Sequence, residues 1–223
     1  MTDDSPSWDL DPHTLKKHDI LKGYLEAWVP IMSHFARTQP SLQRLLIVDG
    51  FAGPGSYEDG HPGSPQLIFE TVEEHPGELP LPVSLLFIEN DPEIFAQLEE
   101  NTLDLKKQAE ESDRFEMITV QQGECEELLS EGIRWYDAHE RSLGPAFFFL
   151  DQFGYCQVSL SLVKEIMRHR FCEAFVFLNC RDMNRWMSDH TKWAGITEAF
   201  GTDEWKGAFD LSAAEKATYL LEC

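Results

Sequence analysis

Five short apolar runs, separated by stretches of helical periodicity, constrain the fold more than anything else in this chain. They are Leu45 to Asp49, Val83 to Ile88, Phe115 to Gln121, Pro145 to Leu150 and Ala174 to Leu178. Each gives way at once to polar residues: Asp49, Glu89, Gly123-Glu124, Asp151 and Asn179. The first, continuously apolar up to Asp49, suits a central strand buried on both faces, the condition of a parallel sheet. Strands alternating with helices predict an α/β fold, a doubly wound and mostly parallel sheet with helices on both faces. Ligands of such sheets bind beyond the carboxyl ends of the strands, where the five polar punctuations fall.

The helical stretches follow from spacing and caps. Asp11-Pro12 is a helix start, with Asp11 as N-cap, and Leu21, Tyr24, Leu25, Trp28, Met32 and Phe35 form one apolar stripe after it. Pro30 is expected to kink this helix or split it in two. Gly63-Ser64-Pro65 predicts a second start leading into residues 66–74, and Pro92 begins one helix running to about Glu110. A short helix through Leu128 and Leu129 and another from Leu160 to His169 complete the alternation. From Arg181 the chain reads as helices carrying Trp186, Trp193 and Trp205. The organisation is then a helical segment over 1–40 packing on the core, a ligand-binding core over 41–180, and a C-terminal helical segment over 181–223.

With 42% hydrophobic residues a packed core is available. No apolar run approaches the ~20 residues of a membrane span, and the acidic start MTDDSPSWDLDP lacks the apolar stretch of a secretory signal. The five cysteines contain no CxxC, and their odd number suits reduced thiols of a cytoplasmic protein better than disulfides or zinc. The histidines show no HxxxH pairing, so no protein-bound metal is expected. Net charge is −22, from 40 acidic and 18 basic residues, and such a surface repels nucleic-acid phosphate overall. Fourteen of the acids fall between Glu89 and Glu131, which reads as a solvated face. Lys16, Lys17, Lys22, Arg181 and Arg185 are the residues from which a local basic groove would have to be built.

The glycines of Asp49-Gly50-Phe51-Ala52-Gly53-Pro54-Gly55 bare the backbone at the end of the first run. A nucleotide phosphate, a dinucleotide and S-adenosylmethionine are the candidate ligands. No GxxxxGK[ST] is present, which excludes a P-loop. The spacing Gly50-x-x-Gly53-x-Gly55 is not GxGxxG, and about ten loop residues precede the helix at Pro65, so a pyrophosphate would lack its helix dipole. S-adenosylmethionine has no phosphate and makes other demands. Its methionine end needs bare strand-end backbone, here Phe51, Gly53 and Gly55. A carboxylate must accept from the ribose hydroxyls (Glu89), and an acceptor must meet the adenine amine (Glu124, or a backbone carbonyl there). Asp49 would serve the amino group, directly or through water.

These residues resemble the class I S-adenosylmethionine-dependent methyltransferase fold, a Rossmann-like sheet. More specifically, the chain resembles the three-Cys-motif partner family. The match runs through "KKHDILKGYLEAW", "VDGFAGPG" with "GSP" ten residues on, "FIEND", "GE" after the third run and "FFFLDQFG" at the fourth. The resemblance implies S-adenosyl-L-methionine as cofactor and a partner encoded alongside, which carries the three-cysteine motif and through which nucleic acid could be reached. It also implies methyl transfer, with an amino group of a base as one acceptor. There Asp151 would accept the amine's hydrogen bonds and Phe153 would stack on the acceptor. The chain departs from the family twice. Gln152 stands where members usually have proline, and the helical stretch after Asn179, ending in "KATYLLEC", leads one to expect a truncated sheet lacking the last strands. The alternative is a non-catalytic binding or regulatory partner built on the same scaffold, since fold alone does not confer chemistry.

Overall fold

The computed structural model describes residues 12–39, 42–57, 60–152, 154 and 156–222. Asp11, Phe153 and Tyr155 lie outside them. Five strands form one parallel sheet: β1 (Leu45–Asp49), β2 (Val83–Glu89), β3 (Phe115–Gln122), β4 (Ala146–Leu150) and β5 (Cys172–Val176), in the order β3-β2-β1-β4-β5. The chain winds outward in one direction from β1 to β3 and returns to the other side for β4 and β5. This is a Rossmann-like doubly wound α/β fold, and its reversal point lies between β1 and β4.

The two-residue period of a strand sorts the side chains to two faces. Leu45, Ile47, Leu85, Phe87, Phe147 and Phe149 point to one face. There they meet α1 (Pro12–Ala36), α2 (Ser64–Glu73), α3 (Pro92–Asn101) and α4 (Leu103–Glu111). Leu46, Val48, Phe148 and Leu150 point to the other, against α5 (Cys125–Ala138) and α6 (Leu160–Arg168). Because both faces are covered, β4 throughout and β1 up to Asp49 can be apolar at every position, as the sequence is. The predicted stripe of α1 packs on the sheet: Leu21, Leu25 and Trp28 are buried, and the Tyr24 ring stacks on Phe147 at 4.9 Å.

Four boundaries differ from those expected. Pro30 lies inside α1, yet the helix runs unbroken from Pro12 to Ala36, because buried Trp28, Val29 and Ala36 on either side hold it to the sheet. The helix expected from Pro92 is two, α3 and α4, divided at Thr102, whose buried hydroxyl donates to Leu98 O (2.7 Å) and Glu99 O (3.2 Å). Such back-bonding competes with the backbone ladder. The short helix after Gly123 extends to Ala138. The fifth strand ends at Val176, so Asn179 is not a strand end; its carbonyl instead accepts from Met183 N, opening α7 (Cys180–Trp186).

Beyond α7 come a 3-10 turn, α8 (Trp193–Phe200), a 3-10 helix over Glu204–Asp210 and α9 (Ala213–Glu222). They gather a third core of their own around Met183, Met187, Ile196, Phe200, Trp205 and Leu220. Among the described residues no helix is long and apolar enough to cross a membrane.

Gly132 lies in the middle of α5, and a Cβ built on it meets nothing within 4 Å. No close approach requires a glycine there, so only its cost to the helix remains. Gly132→Ala is expected to raise stability by about 0.5–1 kcal/mol, read as a shifted urea midpoint with an unchanged m-value.

Candidate functional site

The ends of β1, β2 and β3 and the N-terminus of α5 surround a hollow of about 350 Å³, lined by Gly50, Phe51, Glu89, Asn90, Glu124 and Gln157 among others. Two carboxylates that the sequence singled out, from strands two and three, thus share one cavity. Glu89 is fixed by backbone: its Oε2 accepts from Gly53 N (3.1 Å) and its Oε1 from Asp91 N (2.9 Å). Glu124 is exposed and accepts from Asn90 Nδ2 through Oε1 (2.8 Å). Each carboxylate retains lone pairs for a further donor.

The glycines after β1 serve several purposes. A Cβ on Gly50 would lie 2.5 Å from Cys125 Sγ and 2.8 Å from Leu150 Cδ2, so its bareness lets the start of α5 close on the strand end. Gly53 (φ 59°) and Gly55 (φ 82°) adopt left-handed backbone. Both are buried and lie outside the lining of the hollow. Gly63 donates to Gly55 O (3.0 Å), closing the intervening residues into a loop bridged at Ser56 and Pro62. Of the residues assigned to this turn from sequence, Phe51 faces the cavity, while Gly53 reaches it only through its bond to Glu89.

Asp49 is fully buried. Its Oδ1 accepts from Phe51 N (3.2 Å), and its Oδ2 has no partner of hydrogen-bond geometry among the described residues, although the Ser64 hydroxyl is near enough to favour the ionised form. Burial pushes its carboxyl up to about 7, and the charges of Asp151 and Glu89 add to the rise. The Phe51 N–H and the nearby Ser64 hydroxyl offset it only in part. An orphaned, buried carboxylate oxygen is costly and marks a place where a donor or cation is wanted.

Asp151, at the end of β4, does not line the hollow; it stands across the reversal point with a partner of its own. Lys17 Nζ lies 2.6 Å from Oδ1 and 2.9 Å from Oδ2, and 3.8 Å from the centre of the Phe177 ring. Burial raises the Asp151 carboxyl while Lys17 and His18 oppose the rise. Beside it, burial lowers His18, with Asp151 opposing. Asp49, coupled to both Glu89 and Asp151, joins the hollow to this second group.

Gln152 fastens the turn after β4. Its Oε1 accepts from Gln157 N (2.7 Å) and Val158 N (3.1 Å), and its Nε2 donates to Phe177 O (3.3 Å). Glu126 of α5 holds the far end of that turn by accepting from Ser159 N (2.8 Å) and Ser159 Oγ (2.6 Å). Rigidity that a proline ring would supply covalently comes here from a buried amide.

Sequence reasoning left Lys17, His18, Asn90, Gln152 and Gln157 without a role at the site. The first two were legible: Lys17 and His18 stand four and three positions before Leu21, on the side of α1 that turns to the sheet. Of the other bases named for a groove, Lys16 and Lys22 are exposed, and the Arg185 guanidinium lies 5.1 Å from the Trp186 ring. Among the described residues no three His, Cys, Asp or Glu side chains gather as metal ligands. No protein-family model matches the chain, and neither does any curated protein.

Proposed function

We propose that the chain is an S-adenosylmethionine-dependent methyltransferase of the three-Cys-motif partner kind. The observation that supports the reading is the cavity shared by Glu89 and Glu124 at successive strand ends, while Asp49, buried at the end of β1, feels the charge of Glu89. Asp49, fully buried and outside the lining of the hollow, would act on the cofactor's ammonium group through water. Glu89, with lone pairs free, would hold the cofactor's ribose hydroxyls, and Glu124, steadied by Asn90, its adenine amine. Phe51 supplies apolar wall. A cavity of about 350 Å³ is of the order taken by nucleoside-sized ligands. Bound there, the cofactor supplies an electrophilic methyl carbon. Asp151 is the residue to accept hydrogen bonds and a proton from the acceptor's amino group, with Phe153 as the stacking ring. A neighbour-encoded three-cysteine-motif protein is the expected partner, through which a base in nucleic acid becomes one acceptor.

One observation favours the non-catalytic reading: both Asp151 oxygens are already held by Lys17. Calorimetric titration with S-adenosylmethionine tests the cofactor site first. The protein should bind, and Glu89→Gln, which replaces an accepting oxygen with a donating amide, should weaken binding roughly tenfold, about 1.4 kcal/mol. Absence of binding to the unaltered protein overturns the methyltransferase reading. Binding without labelled-methyl transfer to RNA, DNA or protein, in complex with the partner, supports the scaffold reading instead.

A further inference from the structure

Lys17 is held as a bound ligand would be held. Its ammonium bridges both oxygens of one carboxylate at 2.6 and 2.9 Å and rests on an aromatic face at 3.8 Å. A charge-assisted bidentate contact combined with cation–π attraction is a general recognition mode for alkylammonium groups. The side chains of Lys17 and Asp151 are 21% and 18% exposed, so the pair is shielded yet reachable.

Lys17 is not needed to dock α1. From Leu21 onward the helix buries Leu21, Leu25, Trp28, Val29 and Ala36. Among the residues from Thr14 to Ile20 only His18 is buried, while Leu15 and Ile20 are 45% and 52% exposed. These first turns are lightly held. The charge around them is also unbalanced: Asp49 feels the charges of both Glu89 and Asp151, Lys17 is the cation bonded to Asp151, and burial disfavours charge on His18. The strand ends are therefore short of positive charge.

We propose that Asp151 and Phe177 form a recognition site for a primary alkylammonium group, and that Lys17 occupies it as an internal stand-in which an incoming amine displaces. Taking this amine as the methyl acceptor rests on the reading above; the binding site itself does not. The class is a lysine side chain or a free aliphatic amine, rather than the flat amine of a base. Displacing Lys17 would free the first turns of α1 to move from the site, which couples occupancy to its opening.

Chemical rescue tests the proposal. Lys17→Ala should lower the melting temperature by about 3 °C, and about 0.1 M n-butylammonium chloride should restore at least half of the loss, beyond any effect of sodium chloride at equal ionic strength. Nα-acetyl-lysine methylamide distinguishes the source: rescue by it as well points to a protein lysine, rescue by butylammonium alone to a free amine. Lys17→Ser, which likewise vacates the site, carries the same test should the alanine variant not fold. Rescue absent in both variants, or equal in the Lys17→Ala/Asp151→Asn double variant, overturns the proposal. No S-adenosylmethionine is present, so the outcome is separate from that of the cofactor titration.

Discussion

Stability should fall by roughly 4 kcal/mol as pH rises from about 4 to about 7, through Asp49 alone. The carboxyl of Asp49 is raised from its ordinary value of 3.8 to about 7 by complete burial. Between those two values the folded chain holds a proton that the unfolded chain has released. Stability therefore decreases with pH across that window, is fully present below about 4, and the loss is complete a little above 7. Other carboxylates change the total, so the measurement is a difference. Urea unfolding of the protein and of Asp49→Asn, followed across this range, should give a gap that closes or reverses as pH rises. A constant gap would mean that Asp49 is not buried in this way. The same linkage ties stability to the site: a cation placed at Oδ2 favours the ionised form, so below pH 7 its binding releases a proton, and its affinity increases with pH. Calorimetry in buffers of different ionisation enthalpy reads that proton directly.

The sheet was legible because its signal is cumulative. Five apolar runs, each flanked by helical periodicity, leave few arrangements, and the unbroken apolarity of β4, and of β1 up to Asp49, announces that both faces are covered. Boundaries were less legible where a single tertiary contact decides them. Thr102 splits one periodic stretch into two helices with its own hydroxyl, and Pro30 is tolerated because the side chains around it are anchored. Neither effect is visible in periodicity.

At the site, residue type foretold strand ends better than partnerships. Glu89 and Glu124 stand at one cavity as their positions suggested, but the glycines do more to close the loop than to face a ligand. Lys17 was hidden for a different reason. On a chain with 40 acidic residues a lysine reads as solvated surface, and only its phase along α1 places it among the groups facing the sheet. Charge patterning gives the sign of a residue, whereas helical phase gives its direction.

Trp205→Ala should cost about 3–5 kcal/mol, the usual penalty for deleting a buried aromatic. The side chain is fully buried, its Nε1 donates to Thr197 Oγ1 (3.0 Å), and its ring meets Trp193 edge-on at 5.7 Å. Trp205→Phe keeps most of the volume and should cost far less, about 1 kcal/mol for the lost hydrogen bond and part of the packing. The third core is distinct from the two on the faces of the sheet, so the damage should concentrate in the C-terminal helices. Hydrogen exchange should show α7 to α9 losing protection while β1 and β4 keep theirs. It should not stop at the cluster's edge, however. Gly195 of α8 packs so close to Cys156 that a Cβ would lie 2.9 Å from its sulfur, and Gly201 meets Leu160 at the start of α6 in the same way. The turn that follows Asp151 thus leans on the C-terminal helices, and the Gln157 and Val158 amides bonded to Gln152 should exchange faster in Trp205→Ala. Unchanged exchange at those two amides would mean that Gln152 and Glu126 hold the turn without the C-terminal helices.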